Sequence, residues 1–428
     1  MTKFLRGTLV IYTICSLTAM APMNLSFMLV LFAFILSVFL KKFPQASLLT
    51  SPDFKTYRFW ALSLLFACWG SLLVTKFYPF AYAGHDPEVT IHGFLKIWYL
   101  LVPAILVFAF ESGASDCEKF SIVTLIKPWW ITTFLMMIVA IIQFFTGWPL
   151  AQPIPTNPGN FHAILFLGHH LSTSSIFIFP AFTALAVAMG FYSRKNKASQ
   201  PLSPRFAMII GMAGTLILFL SYARTAWIAL LIGFALLLKK YLFPNLTRKQ
   251  WLSTAAGIII ALGLFSQTPL VKDRIEKMMG VSERFELWKA NIDFFTHRPI
   301  TGIGWLKTQE MSEFYFKSID PEHYRNHFWG HAHSNFFEML GGTGLIGLFV
   351  FLGWSIFTLR FAHRLTTRFE LSGEYFYSDF ARGIFIALIL LHFNGLTNVT
   401  FWEGKVMHQQ MLAVGMLLIL SRKKSHSS

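Results

Sequence analysis

Apolar segments of about twenty residues recur along the chain from residue 8 to residue 420, with short polar breaks between them. A bilayer core about 30 Å thick needs roughly 20 apolar residues to be crossed by one helix. Of the 428 residues, 55% are hydrophobic and 13% are charged, a composition unlike that of soluble domains. The sequence therefore predicts an all-α polytopic membrane protein.

The apolar segments predict about twelve transmembrane helices, followed by a short polar tail. They are expected at residues 8–21, 24–40, 59–75, 94–110, 129–146, 171–192, 206–222, 225–238, 251–266, 337–359, 381–397 and 406–420. An even number of helices places both termini on one side of the membrane. Most Lys and Arg residues then fall in short segments on that side, which the positive-inside rule assigns to the cytoplasm.

The chain carries 36 Lys and Arg against 20 Asp and Glu, a net charge of +16. In a soluble protein this excess would suggest nucleic-acid binding. Here the cations lie at membrane edges, where they fix topology and meet anionic lipid headgroups. Membrane lipids are therefore the expected partners of these charges, and no nucleic acid is expected.

One large extracytoplasmic loop, residues 267–336, separates the ninth and tenth helices. The chain thus divides into nine helices over residues 1–266, the loop, and three helices with a cytoplasmic tail over residues 337–428. The charges of the loop balance, and it is rich in Trp and Phe. These features predict a partly helical segment that lies on the outer membrane interface.

Two arginines are candidates for binding an anion. Arg224 lies between two apolar segments with no room for a loop, and Arg284 opens the run Arg284-Phe285-Glu286-Leu287-Trp288. A guanidinium is always charged and fits a phosphate with two hydrogen bonds. The alternatives are an interfacial arginine at 224 and an amphipathic surface helix at 284.

Four histidines, His323, His327, His331 and His333, form the richest cluster of the loop. Two hypotheses compete. Spacings of four would place the first three on one helical face, which could bind zinc. Alternatively, His333 alone acts as a general base with a near-neutral pKa, because that pKa suits proton abstraction. The glycines of the nearby Pro299–Trp305 run permit a tight bend or a close backbone approach.

Four further residues are weaker candidates for contacts with a sugar or a phosphate. His169 and His170 begin the sixth helix, and Lys76 and Lys96 flank the second outer loop. All four belong to the outer side in the predicted topology. A structural role is an equally good interpretation of the histidines, and the signal of the lysines is weak.

The sequence from His333 onward resembles a known family. His333-Ser334, nine further residues and then Gly344-Leu345-Ile346-Gly347 match a pattern of the O-antigen ligases of Gram-negative bacteria, within the O-antigen ligase and polymerase superfamily. The predicted topology is similar to theirs over nearly the whole chain. The resemblance implies an inner-membrane enzyme whose active site faces the periplasm.

The resemblance also implies the reaction. O-antigen polysaccharide would pass from undecaprenyl pyrophosphate to a sugar hydroxyl of the lipid A-core oligosaccharide, without a nucleotide sugar, ATP, a metal or another cofactor. Arg224 and Arg284 would bind the pyrophosphate, and His333 would be the base of an inverting transfer. His331 and Trp288 would contribute to substrate binding, as would one of the two lysines.

Three other functions remain open. The same scaffold can support an O-antigen polymerase or a protein O-oligosaccharyltransferase, which differ from a ligase in their acceptor. A lipid or polysaccharide transporter is a third hypothesis, although many transporters show repeated halves and this sequence has no such repeat. The clustering of candidate residues on one side of the membrane favours an enzyme.

Overall fold

The computed structural model describes residues 2–40, 51–78, 84–111, 121–150, 153–156, 159–194, 200–245, 247, 249–250, 253 and 281–423. Within these ranges the regular structure is entirely helical, and the only β-type contacts are two isolated bridges. The all-α prediction is confirmed for these residues. The expected ninth helix, 251–266, and the start of the loop, 267–280, lie outside the described residues except for residue 253.

In the part that the structure describes, the first half of the chain forms nine α-helices and a short 3-10 turn, Trp98–Leu101. The helices are α1 (Thr2–Cys15), α2 (Met20–Phe39), α3 (Pro52–Phe77), α4 (Ile91–Leu95), α5 (Val102–Glu111), α6 (Val123–Thr146), α7 (His170–Ser193), α8 (Pro204–Leu220) and α9 (Arg224–Tyr241). The second half adds α10 (Val281–His297), α11 (Thr308–Ile319), α12 (Asn335–Leu371), α13 (Tyr375–Asn394) and α14 (Gly404–Ser421).

Seven described segments are long and apolar enough to cross a membrane. They are Met20–Phe39, Pro52–Phe77, Gly93–Phe110, Val123–Thr146, His170–Ser193, Asn335–Leu371 and Tyr375–Asn394. The helix Pro204–Leu220 is also apolar but has only 17 residues. The chain is therefore a membrane protein with several spans, while the count of twelve stays a prediction.

Helix α7 lies at the centre of the bundle, and nearly all of its residues are buried. Small residues on its neighbours let the backbones approach closely, as is common in membrane bundles. A Cβ atom added at Gly214 of α8 would lie 2.7 Å from the Cβ of Ala181, and one at Gly383 of α13 would lie 2.3 Å from the Cα of Thr183. Helices α8 and α13 are thus held against α7 at these glycines.

Charged pairs join the helix ends that the charge pattern assigns to the cytoplasm. Arg194, after α7, donates two hydrogen bonds of 2.7 Å to Asp379 at the start of α13. Lys240 of α9 and Arg382 of α13 contact Glu370 near the end of α12, at 2.7 and 2.6 Å. Each acid therefore lies against cations, which reduces the cost of burying its charge.

The Pro299–Trp305 run packs directly on the start of α12. The Ile303 N–H donates to the Gly341 carbonyl at 3.0 Å, and the Leu345 N–H donates to the Pro299 carbonyl at 2.8 Å. Gly344, with φ +63°, interrupts the helical backbone at this point. The close backbone approach predicted from the glycines is confirmed. It fixes the Pro299–Trp305 run to the bundle.

Substituting Gly302→Ala should destabilise the protein strongly, because two costs combine. Its φ of +66° disfavours a side chain, and the new Cβ would lie 2.4 Å from the carbonyl carbon of Gly342. We expect a loss of about 2–5 kcal/mol, measured as a lower apparent Tm in detergent. The matched control is Gly84→Ala, where φ is +82° but no atom lies within 4 Å. Equal losses in the two variants would contradict a close-packing role for Gly302.

Candidate active site

A cavity of about 390 Å³ lies at one end of the bundle. Its lining residues come from five parts of the chain and are Met20, Lys96, His169, Leu306, Gln309, His331, His333, Glu338, Asn398, Val399, Trp402, Glu403, Gly404 and Lys405. Met20, His169 and Glu403 each lie at the start of a helix. These starts share the end of the bundle that the charge pattern places outside the cytoplasm.

His333 lies on this cavity in an uncommon backbone conformation. Its φ of +48° is in the left-handed region, which residues other than glycine rarely adopt and which clusters at functional sites. The His333 N–H donates to Nδ1 of His331 at 3.3 Å, and the two ring centroids are 4.2 Å apart. Nδ1 of His333 itself is buried without a hydrogen-bond partner among the described residues.

Two side chains hold the loop that carries His333. Glu338, buried in the first turn of α12, accepts a 2.6 Å hydrogen bond from the Ala332 N–H and another from the Thr308 hydroxyl. On the other side, the indole N–H of Trp288 donates to the Ala332 carbonyl at 2.8 Å, and its ring stacks on Phe337. Trp288 therefore contacts the His333 loop and does not line the cavity.

Asn335 joins this loop to the segment before α14. Its side-chain oxygen accepts hydrogen bonds from the N–H groups of Thr400 and Phe401, at 2.8 and 3.0 Å. Its amide nitrogen donates to the Thr400 hydroxyl at 2.8 Å. The Asn335 N–H donates to the carbonyl of Gly395. The cavity wall formed by residues 398–405 is thus fixed relative to His333.

Burial and nearby cationic groups lower the pKa of His333 to about 3, the neighbours being His331, Arg284 and His169. Burial likewise lowers the pKa of His331 to about 4, with His169 and Lys96 adding to the effect. The expectation of a near-neutral pKa for His333 is wrong. Its imidazole is neutral at pH 7 and can accept a proton, but it is a weak base in this environment.

The structure also brings the two predicted arginines together. Burial, and next the charge of Arg224, lower the pKa of Arg284, so the two guanidinium groups repel each other within electrostatic reach. The charge of Arg284 likewise lowers the pKa of His333. Both guanidinium groups stay charged at pH 7. Arg284 thus feels the like charge of Arg224 and acts on the neutral imidazole of His333, and a bound anion would reduce the repulsion between the arginines.

The weaker candidates divide into two groups. Lys96, His169 and His331 line the cavity, whereas His170 stacks on His169 with ring centroids 4.5 Å apart. His169 also accepts a hydrogen bond from the Leu171 N–H at the start of α7. Lys76, in the last turn of α3, is exposed and does not line the cavity. The geometry thus favours Lys96 over Lys76.

Residues 206–352, roughly a third of the chain, match the family described as O-Antigen ligase. The match supports a place for this segment in the O-antigen ligase superfamily. The superfamily consists of glycosyltransferase-like membrane enzymes, and the matched segment includes Arg224, Arg284 and His333. No curated protein sequence matches the chain significantly.

Several cavity residues were not anticipated from the sequence. Glu403 accepts a hydrogen bond from the Ser172 hydroxyl, and burial raises its pKa although Lys405 and Lys96 oppose the shift. Lys405 donates to the carbonyl of Leu167. The sequence signal for these two residues is that Glu403 and Lys405 flank Gly404, which begins the last apolar helix. Glu338 carried a similar signal, because it is a lone acid inside an apolar helix.

The premise of the zinc hypothesis is wrong. His323, His327 and His331 do not share a helical face, because only Tyr324–Asn326 forms a 3-10 turn and the chain is extended at His327. Nε2 of His327 lies 3.0 Å from Asp320, and His331 faces the cavity. Among the described residues, no group of three or more His, Cys, Asp or Glu side chains is arranged to hold a metal ion.

His327 instead links α10 to the segment after α11. Its two ring nitrogens lie 3.0 Å from carboxylate oxygens of Glu286 and Asp320. Its ring stacks on Phe316 with centroids 4.7 Å apart. Hydrogen bonds to Glu286 and then to Asp320 raise the pKa of His327. The hydrogen bond from His327 is also the main reason that the pKa of Asp320 is lowered.

The His327 link predicts a pH dependence of stability. A histidine whose pKa is raised by folding stabilises the folded state while it is protonated. This stabilisation is present in full below about pH 6.5 and is lost as the pH rises through the folded-state pKa. The Asp320 contribution is present above about pH 4 and is lost in acid. We therefore expect an apparent Tm about 1–2 °C higher at pH 5.5 than at pH 8 from this link. His327→Gln should abolish that difference, and His363→Gln should retain it. An unchanged difference in His327→Gln would exclude the link as its source.

Proposed function

We propose that this protein transfers O-antigen polysaccharide from undecaprenyl pyrophosphate to a sugar hydroxyl of the lipid A-core oligosaccharide. It would do so in the bacterial inner membrane, with both termini in the cytoplasm and the site on the periplasmic side. The match of residues 206–352 to the O-antigen ligase family supports the reaction class. The several apolar helices support the membrane location.

The observation that carries this proposal is that His333 lines the cavity while Arg284 lies within electrostatic reach of both Arg224 and His333. Two guanidinium groups within electrostatic reach of each other match a diphosphate, which offers oxygens on both phosphorus atoms. A neutral imidazole next to them matches a hydroxyl that must lose its proton. The cavity of about 390 Å³ has room for a sugar at the reacting centre.

In the proposed step, the acceptor hydroxyl oxygen attacks the anomeric carbon of the lipid-linked sugar. His333 takes the hydroxyl proton. The bond from the anomeric carbon to the pyrophosphate oxygen breaks, its electron pair leaves with the pyrophosphate, and the configuration inverts. Arg224 and Arg284 stabilise the charge that grows on the leaving group.

The lowered pKa of His333 fits this step once the donor's charge is considered. The negative diphosphate would offset the positive field of Arg284 and raise the pKa of His333 towards the value of an effective base. Binding of the donor would thus activate the base. Glu338 and Trp288 act as positioning residues through their hydrogen bonds to Ala332. Lys96, His169 and His331 would contact the sugars or the second phosphate.

His333→Ala should reduce transfer by about a hundred to ten thousandfold, the usual cost of removing a general base. The assay uses proteoliposomes that hold lipid-linked O-antigen and lipid A-core, and it measures the initial rate of product formation. His323→Ala, an exposed histidine of the same loop, is the matched control and should retain its activity. Transfer by His333→Ala at the rate of the unaltered protein would refute the base assignment.

The product formed in the same assay shows which acceptor the protein uses. A ligase yields O-antigen attached to lipid A-core, so the lipid A-core band shifts on a gel. A polymerase would instead lengthen the glycan on the polyprenyl carrier and leave lipid A-core unchanged. The second result would overturn the ligase proposal and still agree with superfamily membership.

Arg284→Ala should slow transfer and also move its pH profile. Loss of the guanidinium removes one of the groups that lower the pKa of His333, so the acid limb of the rate profile should move to higher pH. Arg284→Lys should restore the profile but only part of the rate, because lysine cannot form the bidentate contact. The control is Arg325→Ala, an arginine of the same loop next to Tyr324. An unaltered rate in Arg284→Ala would remove this residue from the pyrophosphate site.

A further inference from the structure

A second recess, of about 650 Å³, lies between α3 and α12, far from the catalytic cavity. Its lining residues are Thr56, Trp60, Gly353, Ile356, Phe357, Arg360, Phe361 and Arg364. Arg360 comes 25 residues after the start of α12 at Asn335, which corresponds to about 37 Å of helical rise. The recess therefore belongs to the opposite end of the bundle and is no part of the proposed transfer site.

The wall of this recess is apolar over about two turns of α12. Trp60 lies directly over Gly353, where an added Cβ would be 2.1 Å from the indole ring. Ile356 is 49% exposed beside it, and Phe357 completes the wall. In a membrane-spanning helix such a surface faces lipid chains, and the slot between α3 and α12 gives one chain a defined place to lie.

The end of the slot is cationic. Arg360 and Arg364 are one turn apart on α12, so their like charges face the same side. Asp53, at the start of α3, forms an ion pair with Arg364. Arg360 makes no ion pair with a described residue, so the lining keeps a net positive charge. A guanidinium over an apolar slot complements a phosphate attached to an acyl chain.

We propose that this recess binds one anionic phospholipid of the cytoplasmic leaflet, with its phosphate on Arg360 and an acyl chain against Ile356 and Phe357. The leaflet follows from the charge pattern, which assigns this end of α3 and α12 to the cytoplasm. A soluble anion would leave the apolar wall uncovered. A zwitterionic lipid would bring its ammonium group towards the two arginines, so an anionic headgroup binds more tightly.

Native mass spectrometry of the purified full-length protein tests the proposal, with phosphatidylglycerol and phosphatidylcholine as the added lipids. The unaltered protein should retain one phosphatidylglycerol in preference to phosphatidylcholine. Arg360→Gln should weaken phosphatidylglycerol retention about fivefold, as expected for one interfacial cation, and should leave phosphatidylcholine retention unchanged. Ile356→Trp, which fills the slot, should reduce retention of phosphatidylglycerol with both arginines present.

The matched control is Arg58→Gln, which removes the same charge from an exposed arginine of α3 that does not line the recess. It should retain phosphatidylglycerol like the unaltered protein. Equal losses in Arg58→Gln and Arg360→Gln would overturn the proposal in favour of general surface attraction. Full retention by Arg360→Gln or by Ile356→Trp would overturn it as well.

Discussion

The backbone contact between the Pro299–Trp305 run and the glycines that begin α12 is the constraint on which the rest of the site depends. Hydrogen bonds from Ile303 to Gly341 and from Gly304 to Gly342 join the two backbones. A Cβ atom added at Gly302 or at Gly344 would lie 2.4 Å from the facing backbone, so these positions require glycine. Ser71 of α3 completes the junction, because its hydroxyl contacts both Gly342 and Trp305. Helices α10 and α11 are attached to the bundle through this junction, and Arg284 takes its position from α10.

The electrostatics of the site follow from that arrangement. The fold keeps Arg284 within electrostatic reach of Arg224 and of His333, although the two guanidinium groups repel each other. The repulsion is a cost that the packing of the bundle offsets and that a bound diphosphate would remove. Preorganised charge of this kind needs no rearrangement when the leaving group becomes more negative.

Hydropathy and charge were sufficient to predict the helical class and that Lys96, His169, His331 and His333 meet at one end of the bundle. The glycine contact was also predictable, because Gly302 and Gly304 serve no other purpose in an apolar run. The zinc hypothesis was wrong because spacing implies a shared face only in a helix, and the chain is extended at His327. The pKa of His333 was not predictable, since it depends first on burial and then on His331, Arg284 and His169, which only the folded chain brings near it. The role of Glu338 was missed because its partners, Thr308 and Ala332, are recognisable only once the loop has folded back on α12.

Helix α12 has 37 residues, a length of about 55 Å, whereas the hydrocarbon core of a bilayer is only about 30 Å thick. Even a tilted helix of this length must extend into a headgroup layer. Because the glycine junction holds the beginning of α12, the break at Gly344 can lie near the outer boundary between lipid and water, where backbone groups freed by the break can be hydrated. A polyprenyl chain could then remain among the lipid chains while its diphosphate meets the acceptor sugar of the lipid A-core in the water layer. Neither lipid-anchored substrate would then have to leave the membrane.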